Sequence, residues 1–418
     1  MLEWMTRDGK LVLVSKTLRR FSYGYLGVTA AIYLGIIGFN GFTIGLILTT
    51  AVLGGAVLTL VASFLEARVG RRRLLLIFSI MMGAAGVAFS ISTDFFVLMI
   101  ATLLGTMNVT GNEFGAFLSL EQSIIPQTVA TNRVTFAYAL YNIGGSLAGS
   151  AGALLGFLPG FFQERFGMSV AASFKPMFIG YVFIAMLVFV TYALLSKKVE
   201  TVTKSREESS LTPVTRKRVV EMSGFFAFDA FGGGILVQSF VAYWFFTRFN
   251  APLDQISIVF SVAGVLTAIS FLVSARLSDL VGPLKTMCFI HVPADGALLM
   301  VPLFPDFLTA MAFYLVFISV SQMDVAPRQA YIVSMVRPEE MVASASATNI
   351  SRNLAQIAGP TASGYLIQYV SISSPFFIGG GIRLVSALSL YFRFRKVPVR
   401  AWESRIRPKV DPSVPDDF

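Results

Sequence analysis

The sequence predicts an all-α integral membrane protein in which twelve transmembrane helices form two pseudo-symmetric six-helix bundles. Three observations support this prediction: the composition, the spacing of the apolar runs and an internal repeat. The 418 residues are 55% hydrophobic and only 13% charged, whereas about 25% of the residues of a soluble domain are charged. Repeated apolar runs of about 20 residues, each able to cross about 30 Å of hydrocarbon, do not fit a water-soluble core.

Twelve apolar runs follow one another along the chain when hydropathy is averaged over about 19 residues. We place the helices near residues 21–39, 44–65, 74–92, 95–120, 134–158, 176–196, 219–247, 254–276, 286–304, 307–326, 342–368 and 374–395. Residues 1–20 mix charges with short apolar pieces, which is not typical of a signal peptide. They predict a cytoplasmic N-terminal segment.

The basic residues predict the orientation of the chain. Most of the 33 Lys and Arg lie on one side of the predicted helices, and three lie on the other: Arg165, Lys175 and Arg248. Because cytoplasmic loops carry an excess of Lys and Arg, we expect both termini to be cytoplasmic and the protein to lie in the cell (inner or plasma) membrane. The net charge of +10 follows from the same bias and does not indicate a nucleic-acid partner.

A polar linker divides the chain into two halves. Residues 197–218 are rich in charged and small polar side chains, which is typical of an interdomain linker. The linker separates an N-terminal six-helix bundle at 21–196 from a C-terminal six-helix bundle at 219–395. Residues 396–418 predict a cytoplasmic C-terminal tail.

The two halves repeat one another in two places. The segment YNIGGSLAGSAG, which begins at Tyr141, aligns without gaps with TNISRNLAQIAG, which begins at Thr348. The loop SFLEARVGRRR between the second and third helices matches ARLSDLVGPLK between the eighth and ninth. These matches indicate that a six-helix unit was duplicated.

The repeated loop resembles the G-x-L-x-D-R-x-G-R-R pattern of the major facilitator superfamily, which has one such loop in each half. Glu121, Pro126 and Arg133 after the fourth helix also match that family's pattern. The first copy has Ala67 where the pattern has Asp, and the second copy has Leu280 where the pattern has Arg. The resemblance covers the whole chain through its six-plus-six layout, and it implies the fold of that superfamily.

The resemblance implies a gating role for the residues of these loops, which contact helix ends in only one state of a transport cycle. In the family's pattern, an acid at the end of the fourth helix pairs with loop arginines. We therefore expect Glu121 to pair with Arg68, Arg71 or Arg133. The gating candidates are Glu121, Arg68, Gly70, Arg71, Arg133, Asp279 and Gly282.

The fourth apolar run also contains Glu113, eight residues before Glu121. In a continuous helix, this spacing places Glu113 about 12 Å deeper in the membrane. An ionisable side chain within a span is costly and is a functional hypothesis by default. We predict that Glu113 binds a coupling proton, with Asp229 in the seventh helix as the second candidate. A buried structural carboxyl group is the alternative.

A polar stripe follows the eleventh helix at helical spacing. Its members are Asn349, Arg352, Asn353 and Gln356. Residues spaced in this way share one helix face. The repeat aligns Asn142 in the other half with Asn349. We predict that these five residues bind the solute, and that Arg352 favours an organic anion. The alternative is an internal salt bridge between Arg352 and Asp229.

The other polar residues of the spans are expected to have structural roles. His291 and Asp295 lie in the ninth helix, which the family resemblance places at the periphery, and Asp324 is expected to pair with Arg328. The single Cys288 excludes a disulfide framework, and one His with one Cys does not favour a metal site. We expect no catalytic residue, no metal and no cofactor.

The resemblance implies a secondary active transporter that moves a small solute by alternating access between the two halves. The buried carboxyl group of Glu113 leads us to expect that this transport is coupled to protons. The segment GNEFGAF lacks the phosphate-binding pattern G-x-x-x-x-G-K-[ST]. The expected partners are the solute, protons and membrane lipids, with no nucleic acid and a monomeric chain. Three alternatives remain: a proton-driven drug or metabolite efflux antiporter, a polytopic membrane enzyme, and a receptor or sensor that does not transport.

Overall fold

The computed structural model describes residues 4–108, 115–130, 133–200, 212–336 and 340–395. Within these ranges the chain is mainly helical, and its β pairing is confined to an isolated bridge between Met5 and Val129. This architecture confirms the all-α prediction. It also agrees with the requirement that backbone polar groups in hydrocarbon bond within their own segment.

The described residues contain eighteen α-helices. Their bounds are α1 Arg7–Ile36, α2 Gly41–Val69, α3 Arg71–Ile91, α4 Phe95–Leu104, α5 Ala116–Ile124, α6 Val134–Leu154, α7 Leu158–Phe166, α8 Lys175–Ala193, α9 Pro213–Ile235, α10 Gln238–Phe249, α11 Leu253–Val281, α12 Pro283–Phe289, α13 His291–Met300, α14 Phe307–Ser321, α15 Val325–Met335, α16 Met341–Ile357, α17 Gly359–Tyr369 and α18 Ser374–Phe394.

These helices form the twelve predicted crossings, because six crossings consist of two consecutive helices each. The divided crossings are α4 with α5, α6 with α7, α9 with α10, α12 with α13, α14 with α15, and α16 with α17. Within the described residues, eight helical runs are long and apolar enough to cross a membrane, and α4 and α14 are shorter apolar helices. Proline at the start of α7 and α17 contributes to two of these divisions, because its ring prevents a continuous hydrogen-bond ladder.

The first crossing begins earlier than hydropathy predicts. The side chain of Thr6 accepts a hydrogen bond from the backbone N–H of Gly9, and α1 runs from Arg7 without a break to Ile36. A helix of 30 residues is about 45 Å long, which exceeds the hydrocarbon thickness. Residues 7–20 of the segment predicted as an N-terminal lead-in therefore form nearly the first half of α1.

The prediction of one continuous helix over residues 95–120 is wrong. Helix α4 ends at Leu104, Thr106 follows with a φ of 52°, Gly115 has a φ of 117°, and α5 begins at Ala116. Backbone with a positive φ ends a right-handed helix, so the helix of the fourth crossing is interrupted at Thr106 and again at Gly115. Glu113 lies outside the described residues, and the depth expected for it from a continuous helix does not apply.

The two halves contact each other tightly on the side of the membrane opposite the start of α1. There the first turns of α2 meet α17, and a Cβ atom on Gly45 would lie 2.6 Å from the carbonyl oxygen of Pro360. One turn further along, the hydroxyl groups of Thr49 and Thr361 are 2.7 Å apart. Glycine at this position therefore allows the backbones of two helices from different halves to approach closely.

A second contact of the same kind joins α6 to α11. The Ser150 hydroxyl donates to the carbonyl oxygen of Ser261 at 2.5 Å, and the Ser146 hydroxyl donates to that of Gly264 at 3.1 Å. Small residues and hydroxyl groups are the usual means of close helix packing in membranes. Together the two contacts close the space between the halves on this side.

Polar side chains are exposed toward the opposite end of the same space: Asn142 on α6 and Asn349 and Asn353 on α16. Because exposing amide groups to hydrocarbon costs free energy, we infer that these side chains line a water-filled cleft between the halves. The cleft opens on the side of the membrane that holds the start of α1.

The close approach of α2 and α17 predicts the effect of one added methyl group. Gly45→Ala should destabilise the closed contact by about 1–3 kcal/mol, because the backbone of Pro360 would have to move. In a variant in which Cys288 is replaced by Ser and Thr361 by Cys, Gly45→Ala should raise the rate of maleimide labelling at position 361 about tenfold. The matched control is Gly381→Ala in α18, where a Cβ atom meets nothing within 4 Å. Equal labelling rates in the two variants would contradict this account of the contact.

Candidate functional site

Glycine residues bring α9 and α16 together at the wall of the cleft. A Cβ atom on Gly234 would lie 2.7 Å from the carbonyl oxygen of Gln356, and Gly359 packs directly against the backbone of Gly234. The sequence FDAFGGG therefore has two functions, since it carries Asp229 and lets α16 approach α9 one to two turns later. This approach places Asp229 beside Arg352.

An ion pair between Arg352 and Asp229 is the centre of the candidate site. Nη1 of Arg352 donates to Oδ2 of Asp229 at 3.2 Å, and the two side chains are 21% and 14% exposed. The other carboxylate oxygen, Oδ1 of Asp229, is buried and has no hydrogen-bond partner within the described residues. The pair is thus accessible from the cleft on one side and incompletely satisfied on the other.

Three amide side chains of the predicted stripe lie on the same helix as Arg352, and the fourth lies in the other half. Asn349 and Asn353 are exposed on α16, Gln356 is half-buried at its end, and Asn142 is exposed on α6 of the other half. The structure contains the internal salt bridge that the sequence offered as the alternative for Arg352. Contact between these residues and a solute stays a prediction.

Glu121 has a different partner from the loop arginines predicted for it. Arg19 of α1 binds it through two hydrogen bonds, Nη2 to Oε2 at 2.6 Å and Nη1 to Oε1 at 2.8 Å, and both side chains are 0% exposed. The hydroxyl groups of Tyr141 and Tyr192 each donate to Glu121 at 2.7 Å. Sequence reasoning missed Arg19 because it lies before the first apolar run, although an arginine continuous with that run's helix was a possible signal.

The loop between α2 and α3 is bound to the start of the linker. Gly70 has a φ of 92°, and the backbone N–H of Arg72 donates to the carboxylate of Glu200 at 3.3 Å. Arg71 forms an ion pair with Glu66 and donates to the carbonyl oxygen of Val199 at 3.5 Å. This contact connects the loop to the linker, and its gating role remains a prediction.

The other gating candidates are separate from this contact. Arg68 is exposed, and the exposed Arg133 lies over the ring of Trp4 at 5.8 Å. Gly282, in the second copy of the loop, has a φ of 89° and the same turn geometry as its counterpart in the first half. The side chain of Asp279 lies outside the described part of the chain.

The buried pair of Arg19 and Glu121 predicts a large stability effect. Arg19→Met should lower the free energy of unfolding by about 3–5 kcal/mol, because it leaves a buried carboxylate without its cation. Arg68→Met is the matched control, since removal of an exposed charge changes stability by less than about 0.5 kcal/mol. The measurement is thermal unfolding of the purified protein in detergent. A shift in Arg19→Met no larger than that of the control would show that the pair does not stabilise the fold.

Comparison with known protein families finds a match along most of the chain. The family model described as Major Facilitator Superfamily matches residues 12–324 and 225–415. An uncharacterized membrane protein of Saccharomyces cerevisiae is 22% identical over 428 residues, which covers 94% of this chain and 96% of the yeast protein.

Solved structures share the fold at low sequence identity. A mutant of the nucleoside transporter NupG superposes with a TM-score of 0.77 at 12% identity, covering 93% of this chain and 100% of that one. A D-xylose-proton symporter superposes with a TM-score of 0.70 at 12% identity, covering 94% of this chain and 98% of that one. At these identities the likeness concerns the fold alone.

Proposed function

Because the chain belongs to the major facilitator superfamily, we propose that it is a secondary active transporter that moves a small organic anion by alternating access, coupled to protons. Membership of this family makes the protein a membrane transporter and not an enzyme. One observation supports the finer proposal: the pair of Arg352 and Asp229 borders the cleft, and one carboxylate oxygen of the pair lacks a hydrogen-bond partner within the described residues.

The chemistry of this pair suits an exchange of partners. An anionic group of a solute competes with Asp229 for Arg352, because a guanidinium group binds either carboxylate in the same geometry. A proton on Asp229 removes its negative charge and leaves Arg352 free to bind the solute. Once the solute has left, the ionised Asp229 pairs with Arg352 again.

The surrounding amide groups supply uncharged hydrogen-bonding partners. Asn349, Asn353 and Gln356 lie along one face of α16 and its end, and Asn142 belongs to the other half. A solute that contacts both halves is held at their interface, where alternating access requires it. We propose that the arginine recognises the charge of the solute and that the amides recognise its polar substituents.

Proton coupling is also supported by analogy of fold. The D-xylose-proton symporter has the same fold, at 12% identity. Glu113 is the other proposed proton-binding residue, because it lies within the fourth apolar run of the sequence. Gating by the loop that contains Gly70 and Arg71 would couple the linker to the movement of the halves.

Loss of the guanidinium geometry should weaken anion binding. A thermal-shift screen of the purified protein across organic anions, sugars, amino acids and cationic drugs should find stabilisation by an anion, about 2.7 kcal/mol at 100 times its dissociation constant. Arg352→Lys should reduce that stabilisation, since an ammonium group cannot reproduce the planar two-pronged donor.

The control for this experiment is Arg393→Lys, because Arg393 pairs with Glu221 between α18 and α9 but is 51% exposed. Binding that is lost in Arg352→Ala and regained in the double variant Arg352→Ala with Asp229→Ala would mean that Arg352 only neutralises Asp229.

A permanently neutral residue at position 229 should uncouple transport from protons. Asp229→Asn proteoliposomes should exchange solute between loaded compartments but fail to accumulate it under an imposed pH gradient, because exchange needs no net proton movement. Glu113→Gln in the same assay tests the other carboxyl group. Accumulation that remains proportional to the pH gradient in either variant would remove that residue from the coupling mechanism.

A further inference from the structure

A buried cluster of ionisable groups lies behind Asp229 in the C-terminal half, around the single histidine of the chain. His291 is 4% exposed and Asp295, one turn later on α13, is 0% exposed. Nε of Arg383 on α18 donates to Oδ1 of Asp295 at 2.9 Å. Asp324, at the start of α15, pairs with Arg328, as the sequence predicts. The ninth crossing is thus part of an internal charge network.

The two nitrogens of His291 contact different acids. Nδ1 lies 3.1 Å from Oδ2 of Asp295, and Nε2 lies 3.8 Å from Oδ2 of Asp324. Nδ1 also lies 3.3 Å from Nη2 of Arg383. An imidazole ring positioned between two carboxylates is placed to accept a second proton, because only the charged form donates from both nitrogens.

The two contacts of Nδ1 exclude each other. With a proton on Nδ1, the nitrogen donates to Asp295 and can accept nothing from Arg383. Without that proton, its lone pair accepts from Nη2 of Arg383 and repels the carboxylate oxygen. The presence of a proton on Nδ1, in the neutral Nδ1–H tautomer or in the imidazolium, therefore decides which of the two groups this nitrogen bonds, and the imidazolium always selects Asp295.

Arg383, one of the two groups that His291 contacts, also packs against α9 at the wall of the cleft. Its Nη1 lies 3.2 Å from the position that a Cβ atom on Gly233 would occupy, and its Cγ lies 3.0 Å from the corresponding position at Gly232. The side chain thus fills the groove on α9 that the glycines leave, one turn after Asp229. A shift of Arg383 changes the packing of the helix that carries the ion pair.

A cavity joins His291 to Asp229. It measures about 20 Å³, and its polar lining consists mainly of Asp229, His291, Asp324 and Arg328. About 10–15 Å³ of such space holds one water molecule. A water molecule here would donate to Oδ1 of Asp229, which lacks another partner within the described residues. Such a water molecule would provide a route for a proton between Asp229 and the imidazole.

The charges of the cluster balance only when His291 is neutral. The ionisable groups around it come from six helices. They are Asp229 on α9, Cys288 on α12, Asp295 on α13, Asp324, Arg328 and Tyr331 at α15, Arg352 on α16 and Arg383 on α18. Three carboxylates thus face three guanidinium groups. A proton on His291 adds one positive charge, and an anion bound at Arg352 restores neutrality.

We infer that His291 is the site that holds the coupling proton while an anionic solute occupies the cleft. A proton on the Asp229 carboxyl passes through the cavity to the imidazole, the imidazolium donates to Asp295, and Arg383 moves away from Nδ1. Because burial of net charge is costly, the proton favours the anion and the anion favours the proton. This inference rests on the proposed proton-coupled function and names the residue that stores the proton.

The single histidine allows a direct test that needs no solute. The full chain, carrying a purification tag without histidine, is labelled with ¹⁵N-histidine, and the ring nitrogen shifts are followed from about pH 5 to pH 9, the range in which histidine changes charge. One transition from imidazolium to neutral imidazole is expected. Asp295→Asn should move the transition to lower pH by about one unit, since it removes the negative partner of the charged ring. Asp306→Asn is the control, because Asp306 is an exposed carboxylate at the start of α14.

A ring that keeps one protonation state across this range, or a transition that Asp295→Asn leaves unchanged, overturns the inference. In proteoliposomes, His291→Gln and His291→Asn should retain solute exchange and lose accumulation driven by a pH gradient, and accumulation equal to that of the wild type overturns the inference also. Absence of coupled flux in the wild type itself would contradict the proposed function, and the nitrogen shifts would still decide whether His291 binds a proton.

Discussion

The ion pair between Arg352 and Asp229 joins the two helices that form one wall of the cleft. A charge in a partly buried site must keep a partner, since removal of one member of such a pair leaves the other without its counter-ion. Glycine at positions 234 and 359 lets the backbones approach closely enough for the pair to form. The position of α16 on α9 and the charge state of the cleft therefore depend on each other.

The two halves use buried charge in opposite ways, although they are built from the same repeat. In the N-terminal half, Glu121 receives two hydrogen bonds from Arg19 and one each from two tyrosines, so the carboxylate is fully satisfied. In the C-terminal half, Asp229 has one oxygen without a partner in the described residues, and Nδ1 of His291 has two contacts that exclude each other. A satisfied network holds helices in place, whereas an incompletely satisfied one can change its partners.

Several features of the site could be predicted from the sequence because they depend on local spacing. The polar stripe of the eleventh helix follows from the helical period, and the ion pair of Asp324 with Arg328 joins residues one turn apart. The partner of Glu121 could not be predicted, since Arg19 lies 102 positions away along the chain. The cluster around His291 likewise joins residues of six helices, so no pattern within a single segment of the sequence predicts it.

The sequence by itself determined the membrane environment, the twelve crossings and the duplication, because apolar length and repeated motifs need no tertiary information. Only the tertiary structure decided where the crossings break and which charges pair. The fourth apolar run is continuous in hydropathy, yet the left-handed backbone at Thr106 and Gly115 divides it. Hydropathy measures transfer into hydrocarbon, which is the same for a straight and a broken helix. Partner choice, in contrast, is decided by distances of a few ångströms between helices that are remote in the chain, and those distances exist only once the helices have packed.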